Sequence, residues 1–357
     1  MHLALILYGS LNTLSGGYLY DRKLVEFLRS QGDTVEIISL PWRNYAAHLA
    51  DNLTFRLPAH VDLIIQDELN HPSLLTANHR PRSCPVVSLV HHLRSSEQHP
   101  AWINRFYRLI EKHYLQSVDG FIFNSHTTRR VVEQLVGSGK PYVVAYPPTD
   151  RFGVGINEAE IASRAQQGEL QILFVGNVIR RKGLHTLLEA LRHLPVAARL
   201  DVVGSLTFEA RYAQEMRRRA AALPMPVFFH GALEAASLAE RFRQAHVLVV
   251  PSGYEGFGIV YLEAMGFGLP AIGTTAGAAP EIIADGQTGF LIPPDDAAAL
   301  AQHLTRLALD RSLLRRMGCY ALERYRCQPS WEQTAAAVRS FLFELVQKWN
   351  INSPTTF

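Results

Sequence analysis

The feature that most limits the fold of this chain is a regular alternation of short apolar runs with amphipathic stretches. In the first part the apolar runs are LALILYG, TVEIISL, DLIIQ, VVSLV, GFIFNS and YVVAYPP, with helical patterns near 20–31, over 102–116 and from about 127. Buried strands that alternate with covering helices are typical of parallel βαβ sheets. The sequence therefore predicts an α/β domain of the doubly wound, Rossmann-like type over residues 1–150.

The alternation stops and then begins again. Pro147 and Pro148 interrupt it, and residues 151–168 are polar with one short helical turn, which indicates a linker. Apolar runs return as QILFVGN, RLDVVGS, VFFHG, VLVVPS, PAIGT and GFLI, again separated by helical patterns. A second doubly wound domain is therefore predicted over 165–330, and 357 residues are enough for two cores.

The remaining segment predicts a helix that closes the chain. Pro329 precedes SWEQTAAAVRSFLFELVQKW, an amphipathic pattern over about 331–349. Two facing α/β domains imply a cleft, because ligands of open α/β sheets lie at the carboxyl ends of the strands. The candidate residues described below all follow predicted strands.

Composition narrows the class of protein and its partners. A formal net charge of +3 suits an anionic ligand but is too small to indicate nucleic acid. The three cysteines are odd in number and lack ligand spacing, which favours a reducing, cytoplasmic setting without a metal site. No run of 18 apolar residues predicts a transmembrane helix, and the apolar N-terminus lacks the basic start of a signal peptide. Peripheral contact at the inner membrane face stays open.

The most informative stretch is PSGYEGFGIVYLEAMGFGLP at 251–270. Glu255 precedes the short loop Gly256-Phe257-Gly258, and Glu263 follows on an apolar helical run. Glycine loops let backbone N–H groups approach a phosphate at a helix start. If the helix begins near Gly258, Glu263 lies five residues further on, or roughly 7 Å along the helix axis, which is close to the span of a diphosphate plus part of a ribose. Two acids on either side of a phosphate loop predict a nucleotide-sugar site. A glycine turn with one solvated acid is the alternative.

A basic loop follows the predicted strand QILFV, in the sequence FVGNVIRRKG. Arg181 and Lys182 lie between the strand and an apolar helix, where cations are placed to neutralise a diphosphate. A solvated basic turn is the alternative, and it applies most to Arg180, which we expect to face water.

Two further loops offer weaker signals. Gly16-Gly17 follows the first strand and permits a close approach of the backbone to a ligand, but the pair is not a dinucleotide fingerprint. His91 and His92 follow the strand VVSLV, and either one can hydrogen-bond a sugar hydroxyl or a phosphate. No acid or cysteine lies at a useful spacing from them in the sequence, so a metal is not predicted there.

One helix has an unusual composition. Residues 102–116, WINRFYRLIEKHYLQ, mix aromatic side chains with Arg105, Arg108 and Lys112. Such a helix is compatible with contact to anionic lipid or to a bulky acceptor. A surface helix packed on its own sheet is the more common case.

These motifs resemble those of family 4 retaining glycosyltransferases, which have the GT-B architecture of two Rossmann-like domains facing across a cleft. Glu255 and Glu263 match the acid-x7-acid motif of that family, which implies contacts of Glu255 with the donor sugar and of Glu263 with the ribose. The GFG loop at 256–258 matches the loop under the diphosphate, and Lys182 matches the phosphate-binding lysine.

The resemblance extends to the first half of the chain, with one departure in the second. Gly16 and Gly17 match the N-terminal glycine loop, and His91 matches a histidine near the transferred sugar, although which of His91 and His92 faces the cleft stays open. Asn177 stands where many relatives have arginine, and Arg181 is a candidate for supplying that charge. The closing helix resembles one that crosses back onto the N-terminal domain.

The resemblance implies a metal-independent, retaining hexosyltransferase that uses a nucleotide-diphosphate sugar and no cofactor. The expected catalytic residues are Glu255, Lys182 and His91, and the expected acceptor is a hydroxyl of a glycan, a lipid-linked molecule or a small molecule. Two alternatives remain, an epimerase-like GT-B enzyme and a donor-binding subunit without activity. The base, the sugar, the acceptor, the linkage and the oligomeric state are not predicted.

Overall fold

The computed structural model describes residues 1–13, 15–97, 99–148 and 151–352, and the chain divides into two units. The first unit comprises Met1–Pro148 together with Pro329–Phe357, and the second comprises Thr149–Gln328. Each unit contains one six-stranded sheet in which every pair of neighbouring strands is parallel.

The sheet of the first unit has the strand order β2-β1-β3-β4-β5-β6. Its strands are β1 (His2–Tyr8), β2 (Thr34–Leu40), β3 (Leu63–Asp67), β4 (Val86–Val90), β5 (Gly120–Phe123) and β6 (Tyr142–Val144). The order reverses between β1 and β3, because β2 lies on one side of β1 and the later strands on the other. Strands β3 and β4 are buried at every position, as their continuous apolar sequences predict for a covered parallel sheet.

Helices α1 to α5 connect these strands. They are α1 (Gly16–Ser30), α2 (Tyr45–Asp51), α3 (His71–Leu74), α4 (Ala101–Ser117) and α5 (His126–Val136). Helix α1 begins four residues before the predicted start at 20, because the Ser15 hydroxyl caps it by accepting a hydrogen bond from the Tyr18 N–H. The predicted helix over 102–116 is α4.

The sheet of the second unit has the strand order β12-β11-β10-β7-β8-β9. Its strands are β7 (Leu170–Val175), β8 (Ala198–Val203), β9 (Val227–Gly231), β10 (Val247–Val249), β11 (Ala271–Thr274) and β12 (Gly289–Ile292). Relabelled from the first strand of the unit, this is the Rossmann order 3-2-1-4-5-6. The order reverses between β7 and β10, which are hydrogen-bonded neighbours.

Eight helices belong to the described part of the second unit. They are α6 (Glu158–Ala165), α7 (Leu184–Arg192), α8 (Ala210–Ala221), α9 (Ala235–Gln244), α10 (Ile259–Met265), α11 (Ala279–Ile282), α12 (Ala297–Leu309) and α13 (Arg311–Arg326). The prediction of a linker with one short helical turn over 151–168 is wrong for α6. Asn157 and Glu160 cap this helix at its start, and the buried Ile161 and Leu322 pack in one apolar cluster.

Helix α14 (Trp331–Asn352) is the predicted closing helix, and it packs on the first unit. Ala335, Val338 and Leu342 join the apolar core that also contains Leu24 and Leu28 of α1. No helix of the described residues has the length and apolarity needed to cross a membrane.

Candidate functional site

The reversal of strand order in the second unit brings two predicted site residues together. Lys182 follows β7 and Glu255 follows β10, and the Lys182 Nζ lies 2.5 Å from Oε1 of Glu255. The Ser252 hydroxyl donates a hydrogen bond to the same carboxylate oxygen at 2.5 Å. Ligands of doubly wound sheets bind outside the carboxyl ends of the strands at such a reversal. The ion pair therefore occupies the position where this fold binds ligands.

The pair is largely buried, which strengthens its electrostatics. The Lys182 side chain is 16% exposed and the Glu255 side chain 7%. Burial alone would raise the pKa of Glu255, but the adjacent Lys182 and Arg181 hold that pKa below its usual value, so the carboxylate is ionised at neutral pH. Burial lowers the pKa of Lys182, and Glu255 opposes this shift. The site thus holds a fixed carboxylate beside a cation with little water around it.

Two glycines allow the loops to pack this closely. Gly183 has φ +72°, and a Cβ added there would lie 2.0 Å from the carbonyl oxygen of Pro251. Gly277 has φ +80°, and an added Cβ would lie 2.1 Å from the carbonyl oxygen of Glu255. Both positions combine a left-handed backbone with direct contact to another backbone, so only glycine fits. The loops after β7, β10 and β11 are therefore held against one another.

The second acid lies on α10 and has a partner that the sequence did not indicate. Glu263 is the fifth residue of α10, and its Oε1 lies 3.6 Å from a guanidinium nitrogen of Arg151. Burial raises the pKa of Glu263 to about 7, and Arg151 opposes this shift only in part. At neutral pH this carboxyl group is therefore poised between its ionised and protonated forms. Arg151 was missed because it precedes Glu263 by more than 100 residues.

The other predicted residues of the second unit lie on the same loops. An Nη of Arg181 donates to the carbonyl oxygen of Tyr254 at 3.0 Å, so its guanidinium reaches the residue next to Glu255. Gly258 caps α10 with φ +94°, and Phe257 is 5% exposed. Asn177 follows β7 and is half-buried. Gly256 is buried beside Glu255. The contributions of these residues to donor binding stay predictions.

The first unit has a comparable cluster at its own reversal of strand order. Gly17 is the second residue of α1, which follows β1, whereas Asp67 ends β3 and His91 follows β4. A Cβ added at Gly17 would lie 3.3 Å from Cδ2 of His91, and His91 Nε2 lies 3.1 Å from Oδ1 of Asp21. The sequence indicated Gly17 and His91, but it did not indicate Asp21 or Asp67, which lie on other elements.

The two neighbouring histidines have different surroundings. Burial would lower the pKa of His91, but Asp21 and Asp67 outweigh it and raise that pKa to about 9, so the imidazole is protonated at neutral pH. His92 Nε2 instead lies 3.1 Å from Oε1 of Glu97. His91 is therefore the histidine that lies with Gly17.

Within the part of the chain that the structure describes, two groups of side chains have the chemistry of metal ligands. Asp21, Asp67 and His91 form one, and the buried Glu68, His71 and Glu111 form the other, each with ligand atoms within 4.8 Å of one another. Sequence spacing concealed both, because their members come from different elements. Independence from metal stays a prediction.

Solved structures with the same architecture define the class of this fold. A sucrose-phosphate synthase from Thermosynechococcus elongatus superimposes with a TM-score of 0.80, covering 97% of this chain and 99% of that chain at 22% identity. Anabaena HepE in complex with UDP and glucose superimposes with a TM-score of 0.75, covering 96% of this chain and 100% of that chain at 18% identity. At these identities the likeness shows the fold alone, and the fold is the predicted GT-B architecture.

The sequence family agrees with this class. Residues 156–324, which lie within the second unit, match the family model described as Glycosyl transferases group 1. This match confirms the resemblance that the motifs around Lys182, Glu255 and Glu263 indicated.

Curated relatives extend the similarity beyond that domain. A glycogen synthase from Mycobacterium tuberculosis is 26% identical over 275 residues, which are 75% of this chain and 64% of that synthase. A phosphatidyl-myo-inositol mannosyltransferase from Mycobacterium leprae is 28% identical over 282 residues, 78% of this chain and 72% of the relative. This chain thus matches less than two thirds of the synthase.

Proposed function

We propose that this protein is a retaining glycosyltransferase that transfers a hexose-type sugar from a nucleotide-diphosphate sugar to a hydroxyl acceptor. The observation that carries the proposal is the Lys182–Glu255 ion pair at the reversal of strand order in a group 1 glycosyltransferase domain. A buried cation next to a fixed carboxylate suits a ligand that has both a diphosphate and sugar hydroxyls.

In the proposed reaction the bond between the anomeric carbon and the diphosphate breaks while the acceptor oxygen bonds to the same face of the sugar. The acceptor proton passes to an oxygen of the leaving phosphate, so the products are a glycoside and a nucleoside diphosphate. Negative charge develops on the leaving diphosphate, where Lys182, Arg181 and the backbone N–H groups of the GFG loop stabilise it. This front-face route uses no second carboxylate as a nucleophile.

The acids orient the donor in this proposal. Glu255 accepts hydrogen bonds from hydroxyls of the transferred sugar, and Glu263 accepts them from the ribose. Burial of both side chains, each residue 5% exposed, makes such hydrogen bonds to a carboxylate strong. For the first unit, His91 donates from its imidazolium to the transferred sugar, with Asp21 fixing the orientation of the ring.

The proposal is tested by thermal-shift binding to UDP, GDP, ADP and their sugars, with EDTA present, for the wild type and for Glu263→Ala. We expect the nucleotides of one base to raise the melting temperature. We expect the mutation to weaken the binding of those nucleotides at least tenfold. Tyr320→Ala, which removes an exposed side chain on α13, is the control and keeps the wild-type shift. No shift with any nucleotide would contradict the proposal.

The same nucleotide sugars separate the alternatives when the products of their incubation with the protein are analysed. An epimerase-like GT-B enzyme would bind the nucleotide sugar and return a nucleotide sugar with altered configuration. A subunit without activity would bind and release the donor unchanged. A glycosyltransferase releases the free nucleoside diphosphate, which anion-exchange chromatography detects.

A further inference from the structure

Helix α4 presents an apolar stripe outside the core of the first unit. Trp102, Phe106 and Leu109 are 74%, 42% and 63% exposed, and their spacing of four and three residues places them on one face of the helix. The opposite face packs on the first unit, because Tyr114 and Leu115 are completely buried in its core. Exposure of a tryptophan, a phenylalanine and a leucine in one row usually marks an interaction surface.

The charges beside this stripe have one sign. Arg105, Arg108 and Lys112 are exposed along its flank. The only acid of α4 is Glu111, which is buried and accepts a hydrogen bond from the Ser95 N–H. Among the described residues, none of the three cations forms an ion pair with a carboxylate. The α4 patch, defined as these three cations with Trp102, Phe106 and Leu109, is therefore positive and apolar together.

Two other exposed groups among the described residues have one of these properties without the other. Arg217, Arg218 and Arg219 are exposed on α8, whose buried residues are its apolar ones. Leu309 and Phe343 are 73% and 48% exposed on two different helices. A soluble polyanion needs only the cations, and an apolar protein partner needs only the stripe. The combination on α4 fits a surface that is negative outside and apolar beneath.

We propose that the α4 patch docks on an anionic lipid surface, with Trp102, Phe106 and Leu109 among the acyl chains and the three cations at the headgroups. A helix with an apolar face and flanking basic residues lies in the plane of the membrane interface in this way. Each cation near an anionic surface strengthens binding about fivefold, so three contribute about 100-fold. The inference does not depend on the proposed reaction.

The test is co-sedimentation of the full chain with vesicles of pure phosphatidylcholine and with vesicles that contain half phosphatidylglycerol. We expect binding to the anionic vesicles alone, and we expect added NaCl to weaken it by screening the cations. R105Q/R108Q/K112Q should lower the partition coefficient about 100-fold, and W102S/F106S/L109S at least about tenfold. Equal binding to both kinds of vesicle, or no binding to the anionic vesicles, would overturn the proposal.

Matched controls distinguish binding by the α4 patch from nonspecific binding through positive charge or exposed apolar side chains elsewhere. R217Q/R218Q/R219Q removes the same charge from α8, and F208S/L309S/F343S removes three exposed apolar side chains elsewhere. Both should bind as the wild type within about threefold. If either control loses vesicle binding as fully as its α4 counterpart, the α4 patch is not the docking surface. If heparin is bound equally by the wild type and by W102S/F106S/L109S while vesicles are not, the lipid surface is not the partner. All four variants change exposed side chains, and circular dichroism verifies their folding.

Discussion

Lys182 and Glu255 form a buried ion pair at the site that we propose for the donor. Each side chain neutralises the other in the free protein, because a lone charge in this position would lose its hydration without compensation. In the proposed complex the diphosphate adds negative charge beside Lys182, which keeps the lysine protonated against the effect of burial. The pair therefore has a role in the folded protein as well as its proposed role in binding.

The first prediction separates these two roles. Lys182→Met leaves Glu255 buried without its cation, so we expect a loss of up to about 3 kcal/mol in the free energy of unfolding. The double variant Lys182→Met/Glu255→Gln removes both charges and should recover most of that loss. Both variants should lower kcat/KM for donor turnover about 100-fold or more.

The control for this prediction is Arg180→Gln, an exposed basic residue two positions away, which should keep turnover within about threefold. Chemical denaturation and donor turnover measure the two effects. Wild-type turnover in the double variant would show that the pair is structural and not part of the site.

The second prediction concerns the stability of the second unit against pH. The folded pKa of Glu263 is about 7, above the ordinary value of 4.5, so the folded state binds the proton more tightly than the unfolded state. The contribution of this group is therefore present below pH 4.5 and is lost as pH rises through 7. Between pH 4.5 and pH 8, the free energy of unfolding of Glu263→Gln should rise by about 3 kcal/mol relative to that of the wild type.

Denaturation curves at several pH values measure the free energy of unfolding of both proteins. Subtracting the wild-type value from that of the variant at each pH cancels the contribution of other titrating groups. Glu281→Gln, on the short helix α11, is the control and should follow the wild type. A constant difference between Glu263→Gln and the wild type across this range would show that Glu263 is ionised throughout.

At the scale of residues, the sequence indicated those candidate site residues that lie close together in the chain. The loop with Glu255 and the helix with Glu263 lie within nine residues, so their spacing alone indicated the site. The partners Arg151, Asp21 and Asp67 come from distant segments, and only the folded chain brings them to Glu263 and His91. Local pattern contains no information about such pairs.

At the scale of elements, the strand order determines where the loops meet. In each unit the chain reverses direction across the sheet at one pair of strands, β1 and β3 in the first and β7 and β10 in the second. Loops that leave such a pair diverge to opposite faces and open a crevice at the edge of the sheet. Lys182 and Glu255 follow the two strands of the pair in the second unit, and Gly17 follows β1 of the pair in the first.

The third prediction tests the contact between two of these loops. Gly183→Ala places a Cβ 2.0 Å from the carbonyl oxygen of Pro251, whereas Gly286→Ala, at nearly the same φ, meets no atom within 4 Å. Gly286→Ala should cost only the backbone strain of about 1–2 kcal/mol. Gly183→Ala should lower the free energy of unfolding clearly more than Gly286→Ala does. It should also abolish nucleotide binding, because the loop with Lys182 must move. Equal melting temperatures and unchanged binding for both variants would contradict this packing of the two loops.

Elements were predictable where the alternation of strand and helix continued. The runs that indicated strands correspond to β1 to β12, because a buried parallel strand needs a continuous apolar run. Helix α2 was missed because it is short, and α12 and α13 were missed because they follow the last strand without a further apolar run. Helix α6 was taken for linker because its buried residues, Ile161, Arg164 and Ala165, are few and stand among exposed polar ones.

At the scale of the whole molecule, the first unit is discontinuous in sequence, because the end of the chain returns to it. Helix α14 contributes Val338 and Leu342 to the core of the first unit, and Arg339 donates to Asp33 at 2.6 Å. Amphipathicity predicted this helix, but its partner could not be derived from the local pattern, because the contacts join residues about 300 positions apart. The resemblance to a known family supplied that expectation.

The most direct test of the account is donor hydrolysis with water as the acceptor, followed by NMR of the released sugar at early times. For the nucleotide sugar that binds, the account predicts a nucleoside diphosphate and a sugar that first appears with the anomeric configuration of the donor. EDTA should leave the rate unchanged, and Lys182→Met/Glu255→Gln should abolish it. A sugar of inverted configuration, or a rate that EDTA abolishes and a divalent cation restores, would contradict the proposed retaining, metal-independent transfer.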